Sequence, residues 1–85
     1  MYGYGGHFEK RLRQRFDWDW DMLKEKSKGL VMETFRNSID LDNKYSGLGQ
    51  TIRMEHTTIY IVEQLNILMI RVGLEWKTCY RLYGN

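Results

Sequence analysis

The second half of the chain decides the fold, and residues 50–83 have the sequence QTIRMEHTTIYIVEQLNILMIRVGLEWKTCYRLY. Four segments in it alternate between apolar and polar residues or are continuously apolar, namely 52–55, 59–62, 67–72 and 76–83. They are rich in β-branched and aromatic residues, which favour strands. The breaks between them are short enough for hairpins. We therefore predict a four-stranded antiparallel sheet over residues 50–83.

The segment before this sheet has helical periodicity. Apolar residues recur at every fourth position in its first part, at Phe8, Leu12 and Phe16, as expected for a short helix with one buried stripe. Asp19 is suited to be the N-cap of a second helix, and Gly29 is suited to follow its last turn. The sequence therefore predicts a helical hairpin over residues 7–29, and the aspartates around Asp19 are interpreted as capping groups rather than metal ligands.

Two further segments have weaker patterns. Residues 1–6 contain three glycines and are predicted to form a flexible arm. Residues 30–49 are ambiguous: 30–39 fits either a strand or a short helix, and 40–49, rich in Asp, Asn, Ser and Gly, is predicted to be a surface loop. The whole chain of 85 residues is predicted to be one α+β domain with two N-terminal helices packed on one face of a four-stranded antiparallel sheet.

Composition narrows the classes of function. The 42% hydrophobic residues are enough for a core, but no apolar run approaches the roughly 18 residues that span a bilayer. The N-terminus lacks the apolar stretch of a signal peptide, and the single Cys79 does not suggest a disulfide-rich secreted domain. We therefore expect a cytoplasmic protein with no membrane association, no cofactor and no metal site.

Basic residues are concentrated near the start of the chain. His7, Arg11 and Arg15 are spaced by four and should form one row along the first helix. RNA cleavage without a metal needs a base, cations that stabilise the charged phosphorane, and an acid. His7 or His56 could be the base or the acid, and the arginines could bind phosphate. Other candidate RNA-binding residues are Lys10, Arg13, Lys77 and Arg81, and Tyr80 or Tyr83 could stack on a base or donate a proton.

Each of these residues also has an ordinary structural interpretation. Basic helices are usually solvated surfaces, and large aromatic side chains usually pack in cores. His56 falls at a predicted turn, and Cys79 has no partner motif, so a small buried hydrophobic side chain is the simpler interpretation of that cysteine.

A family resemblance supports the RNA hypothesis. The stretch HFEKRLRQRFDWDWDMLKE, with His7, Arg11 and Arg15 followed by the N-cap Asp19, resembles the opening of small RelE-like toxins of an α+β ribonuclease superfamily. The closing EWKTCYRLY resembles the final strand of that group. The resemblance covers both ends of the chain but not residues 30–50. It implies metal-independent RNA cleavage, with His7, Arg11 and Arg15 in the site and Thr78 or Tyr80 opposite them.

Other functions remain open at this point. The three tryptophans and six tyrosines also suit a non-enzymatic interaction protein, such as a small phage-encoded inhibitor that binds a host protein, because Trp, Tyr and Arg dominate binding hot spots. A homodimer formed through an unpaired sheet edge is a related option. A DNA-binding helix-turn-helix is less favoured, because aspartates at the start of the second helix would repel phosphates.

Overall fold

The computed structural model describes residues 5–48 and 56–84. In chain order its elements are α1 (Gly5–Phe16), α2 (Trp20–Ser27), β1 (Glu33–Phe35), α3 (Ser38–Lys44), β2 (Thr57–Val62), β3 (Ile67–Val72) and β4 (Glu75–Arg81). A short 3-10 turn, Glu63–Leu65, joins β2 to β3. The protein is therefore α+β, and its described residues form three α-helices and a four-stranded antiparallel sheet.

The sheet is a meander with strand order β1-β2-β3-β4, in which each strand is antiparallel to the next. β2, β3 and β4 correspond to the last three predicted strands. The predicted strand at 52–55 lies outside the described residues. The fourth strand of the sheet is instead β1, which belongs to the ambiguous segment 30–49 and pairs with β2 through Glu33 opposite Ile61 and Phe35 opposite Ile59.

The two helices before the sheet were predicted, and the capping of α2 is confirmed. Asp19 Oδ1 accepts a hydrogen bond of 2.8 Å from the Met22 amide, which satisfies one of the free amides at the start of the helix. Gly29 follows the last turn with φ +76°, a left-handed conformation that glycine adopts without strain. α1 begins at Gly5 rather than at His7, so the prediction of a flexible arm is wrong for residues 5 and 6, and residues 1–4 lie outside the described residues.

The prediction of a loop at 40–49 is wrong for its first half, because residues 38–44 form α3. Asn37 caps this helix by accepting a hydrogen bond of 2.8 Å from the Asp40 amide. Leu41 and Tyr45, four residues apart, are buried. The polar residues that suggested a loop lie on the solvent side of a short amphipathic helix.

Helices cover both faces of the sheet, whereas one covered face was expected. We define the front face by the cross-strand row Tyr60, Met69 and Cys79, and the back face by the row Ile61, Leu68 and Tyr80. The front face packs against buried residues of α1 and α2, namely Phe8, Leu12 and Leu23. The back face packs against Leu41 and Tyr45. The core is thus divided by the sheet into two apolar clusters.

A β-bulge in β4 decides which side chains reach the front face. Ile70 is opposite Thr78 and Arg71 is opposite Trp76, so Lys77 is the extra residue of the pair. In a regular strand with the same residues, alternation would place Trp76 and Cys79 on opposite faces, because they are three positions apart. The bulge turns both side chains into the front cluster beneath α1.

Candidate functional site

The predicted row of basic residues lies beside β4, at one edge of the sheet. Near the start of α1, the Phe8 ring is 5.5 Å from the Trp76 ring of β4. At its end Arg81 Nη2 donates a hydrogen bond of 2.6 Å to the Arg15 carbonyl. α1 and β4 therefore run in the same direction, and the fold brings the two ends of the family resemblance side by side.

Arg15 of this row makes two contacts with β4. Its Nη1 donates a hydrogen bond of 2.8 Å to the carbonyl of Cys79, in the strand at the edge of the sheet. The centre of its guanidinium is 4.7 Å from the centroid of the Tyr80 ring, within the range of a cation–π contact. Two predicted catalytic residues, Arg15 and Tyr80, therefore touch.

Arg81, predicted to bind RNA, has a role at the end of α1. The carbonyl that it binds is one of the last four of the helix, which have no partner within the helix. A cation at this end also interacts favourably with the helix dipole. Its guanidinium lies 5.9 Å from the Phe16 ring, so Arg81 also helps to hold the helix on the strand.

The remaining predicted residues are spread along this surface. Lys10 and Arg13 are exposed on α1, Arg11 bonds Gln14, and Lys77 pairs with Glu75 at 2.9 Å. Thr78 lies on the back-face side of β4 opposite Ile70. We call Lys10, Arg11, Arg13, Arg15, Lys77 and Arg81 the basic surface.

His7 is exposed in the first part of α1, away from Arg15 and Tyr80. It is eight residues from Arg15, which corresponds to about 12 Å along the helix axis. A general acid or base must come within hydrogen-bond reach of the same reacting group as the phosphate clamp. Arg15 is bonded to the Cys79 carbonyl, so the His7 and Arg15 side chains are not placed to act on one atom.

The positive charge of the chain is concentrated on α1 and β4. α1 contains four Lys or Arg residues and one Glu, and β4 contains two cationic residues and one Glu. Together they carry a net charge of +4, from six cations and two anions, whereas the whole chain carries +2. The rest of the sequence is therefore net acidic, and the positive potential is localised on one side of the molecule.

Arg71 is a second basic group, on the front face, that was not predicted as a site residue from the sequence. Its guanidinium centre is 5.3 Å from the Tyr60 ring and 5.7 Å from the Trp76 ring. Its Nε is buried and has no hydrogen-bond partner among the residues that the structure describes. The signal was present in the sequence, because Arg71 is the single charge in the apolar strand ILMIRV and shares the core-facing parity of Met69.

A third polar cluster, also not predicted, joins β1, α3 and the 3-10 turn near the back face. The Tyr45 hydroxyl is 2.6 Å from Glu33 Oε1 and 2.5 Å from Glu63 Oε2. Lys44 donates to Glu33 as well. These residues border a cleft of about 440 Å³ that is also lined by Val31 and Gln64.

The pKa values of this cluster favour a structural role. Burial, followed by hydrogen bonds to Glu33 and Glu63, raises the pKa of Tyr45 well above its ordinary range. The Lys44 and Tyr45 hydrogen bonds lower the pKa of Glu33. The phenol is therefore a very weak acid, and its single proton is shared between the two carboxylates.

Residues 5–48 and 56–84 contain no group of three or more His, Cys, Asp or Glu side chains placed to hold a metal ion. Cys79 is fully buried, and burial raises the pKa of its thiol to about 11, the opposite of what an activated nucleophile needs. No helix in those ranges is long and apolar enough to cross a membrane.

Comparisons of this chain with protein-family models, with curated proteins and with solved structures find no match.

Proposed function

We propose that this protein binds RNA, in single-stranded form, along the basic surface. The observation that carries the proposal is the concentration of net charge +4 on α1 and β4 in a chain of net charge +2. Phosphate backbones are attracted to such a surface, because neutralising phosphates releases their condensed counterions. The resemblance to RelE-like toxins involves the same two elements and points to the same ligand.

Tyr80 favours a single strand over a duplex. Its side chain is 40% exposed beside the guanidinium of Arg15. Single-stranded RNA is commonly held by cations along its backbone and by aromatic rings that stack on unpaired bases. In a duplex the bases are already stacked on each other and are less available to such a ring.

The DNA-binding alternative is disfavoured by the start of α2. Asp19 caps that helix and Asp21 lies in its first turn. In a helix-turn-helix, the N-terminal residues of the second helix approach base edges in the major groove. Two carboxylates at that position would repel the phosphates on either side of the groove.

The test is a titration of a labelled, mixed-sequence single-stranded RNA by fluorescence anisotropy at several salt concentrations. The informative variant is Lys10→Gln/Arg13→Gln, because both side chains are exposed. The matched control is Lys26→Gln/Lys28→Gln, which removes the same charge from α2. If both α1 cations contact phosphates, the slope of log K against log salt should fall in magnitude by about 1.4.

The control should keep the wild-type slope. Equal losses in the two variants would mean that only total charge matters. Absence of salt-dependent binding by the wild-type protein would refute the proposal.

Metal-independent RNA cleavage on the same surface is a second candidate. The observation that favours it is His7, which is exposed on the helical stripe of Arg11 and has no partner among the described residues. Incubation with RNA in chelator should give products with the wild-type protein and none with His7→Ala. Intact RNA in both reactions, with binding retained, would leave RNA binding alone.

A non-enzymatic inhibitor or interaction protein is the alternative from another class. The three tryptophans pack against the front cluster and are not free to form a binding surface, namely Trp18, Trp20 and Trp76. Val31, Met32 and Ile39 are exposed instead, and they are the residues through which a host protein would bind. A homodimer through the edge of β4 would have to displace Arg15 from the Cys79 carbonyl.

A further inference from the structure

Arg71 is half-buried, and the described residues around it supply no anion for its guanidinium. Within one cross-strand row its neighbours are Thr58 and Trp76, neither of which is acidic. No described carboxylate pairs with it, whereas Lys24, Lys28, Lys44 and Lys77 each have a carboxylate partner. The rings of Tyr60 and Trp76 stabilise the positive charge of Arg71 through cation–π contacts. These contacts leave the N–H groups of the guanidinium, which point outward in its plane, without an acceptor.

Leaving the buried Nε–H of Arg71 unpaired is costly. A buried donor without an acceptor costs about 1–3 kcal/mol, and a charged one costs more. Arg71 Nε is such a donor. An uncharged side chain at this position could pack on the same two rings without that cost, so the guanidinium makes sense if an acceptor from outside the chain binds it.

A groove lies next to Arg71. It runs between α2 and the front face, has a volume of about 150 Å³, and is lined mainly by Trp20, Leu23, Met32, Met69 and Trp76. Met69 lies two residues before Arg71 on the same face, and Trp76 is opposite Arg71 on the next strand. Arg71 is not itself a lining residue, but Met69 and Trp76 of the lining are its neighbours, so a ligand in the groove can extend to the guanidinium.

The size of the groove limits what fits. An apolar cavity of about 150 Å³ holds one benzene ring, and the groove has that volume. A single six-membered ring therefore fits, whereas a purine or an indole would extend into solvent. Trp20 and Trp76 supply aromatic surface for ring contacts, and Lys24 adds a positive charge at one side.

We propose that this groove binds a monocyclic aromatic anion, with its ring against Trp20 and Trp76 and its oxyanion on Arg71. A carboxylate or a phosphate can accept two parallel hydrogen bonds from a guanidinium, which is the strongest arrangement available to arginine. The anion can come from an aromatic carboxylate or from a pyrimidine nucleotide. The site is separate from the basic surface and does not depend on RNA binding.

The test compares anions with neutral molecules of the same shape. Benzoate and benzamide form one pair, and uridine 5′-monophosphate and uridine form the other. Binding is followed by tryptophan fluorescence and by the indole and Arg71 Nε signals in nitrogen-edited NMR spectra. At least one anion should bind saturably and at least tenfold more tightly than its neutral counterpart, and the pair that does so identifies the source of the ligand.

Variants locate the site. Arg71→Gln should weaken binding of that anion at least tenfold, while Arg36→Gln, an exposed arginine between β1 and α3, should leave it unchanged. Met32→Glu is the second variant, because Met32 is 51% exposed and its replacement should not disturb folding. It brings a negative charge into the groove and should weaken anion binding even if Arg71→Gln fails to fold.

The proposal is overturned if neither anion binds, if neutral and anionic probes bind equally, or if the Met32→Glu protein binds like the wild type. Binding that is lost in Lys10→Gln/Arg13→Gln and kept in Met32→Glu would also overturn it, since the anions would then be on the basic surface.

Discussion

Arg15 and Cys79 are 64 positions apart, and a hydrogen bond of 2.8 Å from the Arg15 guanidinium to the Cys79 carbonyl fixes α1 to the edge of the sheet. An edge carbonyl is otherwise a site at which another chain can pair. The same guanidinium packs on Tyr80. One side chain therefore closes part of the sheet edge, docks the helix and orders the centre of the basic surface.

We expect Arg15→Gln to destabilise the protein by about 1–2 kcal/mol, because it loses a hydrogen bond made by a charged group and a cation–π contact. The free energy of unfolding from urea denaturation is the measurement. Arg13→Gln is the control, since Arg13 is exposed on the same helix and should change stability by less than about 0.5 kcal/mol. Equal effects of the two substitutions would contradict the proposed docking role.

The bulge at Lys77 predicts opposite results for two changes in β4. Deletion of Lys77 removes the extra residue and leaves Trp76 two positions from Cys79, so regular alternation keeps both side chains on the front face. Trp76→Ala instead removes the ring contacts with Phe8 and Trp20, and losing a large aromatic side chain from a core costs about 3–5 kcal/mol. Thermal unfolding followed by circular dichroism measures both variants, and we expect the deletion to lower the melting temperature much less than Trp76→Ala. Equal losses in the two variants would show that the bulge is not what places Trp76 on the front face.

Cys79 should report on the integrity of the front cluster. Burial raises the pKa of its thiol to about 11, and the thiolate is the reactive form. We expect a chromogenic disulfide reagent at pH 8 to modify the native protein very slowly and the protein in denaturant at once. A fast reaction in the native state would mean that α1 leaves the sheet easily, because α1 covers this part of β4.

Local patterns were sufficient for part of the fold. The alternation around Ile67 and the N-cap at Asp19 each depend on neighbouring residues only, and both predictions agree with the structure. α3 was missed because its polar residues outnumber the two apolar ones, Leu41 and Tyr45, that hold it to the back face. Its cap, Asn37, was the available signal.

The candidate sites could also be predicted only in part from the sequence. The row containing Arg11 and Arg15 follows from helical spacing, and the structure places Arg15 of this row against Tyr80. The setting of Arg71 could not be predicted, because Tyr60 and Trp76 come from two other strands and the bulge decides that Trp76 faces it. Contacts of this kind depend on register, which a single sequence does not specify.

Glu33 predicts a loss of stability in acid. Its folded-state pKa is lowered from 4.5, mainly by the hydrogen bond from Lys44. A group with a lowered pKa stabilises the fold above its unfolded pKa, and that contribution is lost as the pH falls through the folded value. Unfolding in urea at pH 7 and at a series of pH values below 4.5 should therefore show a steeper acid loss for wild type than for Glu33→Gln. Parallel curves would contradict this linkage.

Tyr45 predicts a loss of stability in alkali, because its pKa is raised above the ordinary 10.0 by burial and by its two carboxylate partners. A group whose pKa is higher in the folded state stabilises the fold below its unfolded pKa, and this contribution disappears as the pH rises toward the folded value. Ionised Tyr45 would place a third negative charge beside Glu33 and Glu63. At pH 7, Tyr45→Phe should be about 1–2 kcal/mol less stable than wild type, since it loses hydrogen bonds to charged groups. Above pH 10 the gap should narrow, because only the wild-type protein has this phenol to ionise.

Urea denaturation from pH 7 to pH 11 measures the stability gap between wild type and Tyr45→Phe, and Tyr83→Phe is the control, since Tyr83 is 60% exposed. A gap that stays constant across this range would show that the Tyr45 proton does not link the two carboxylates.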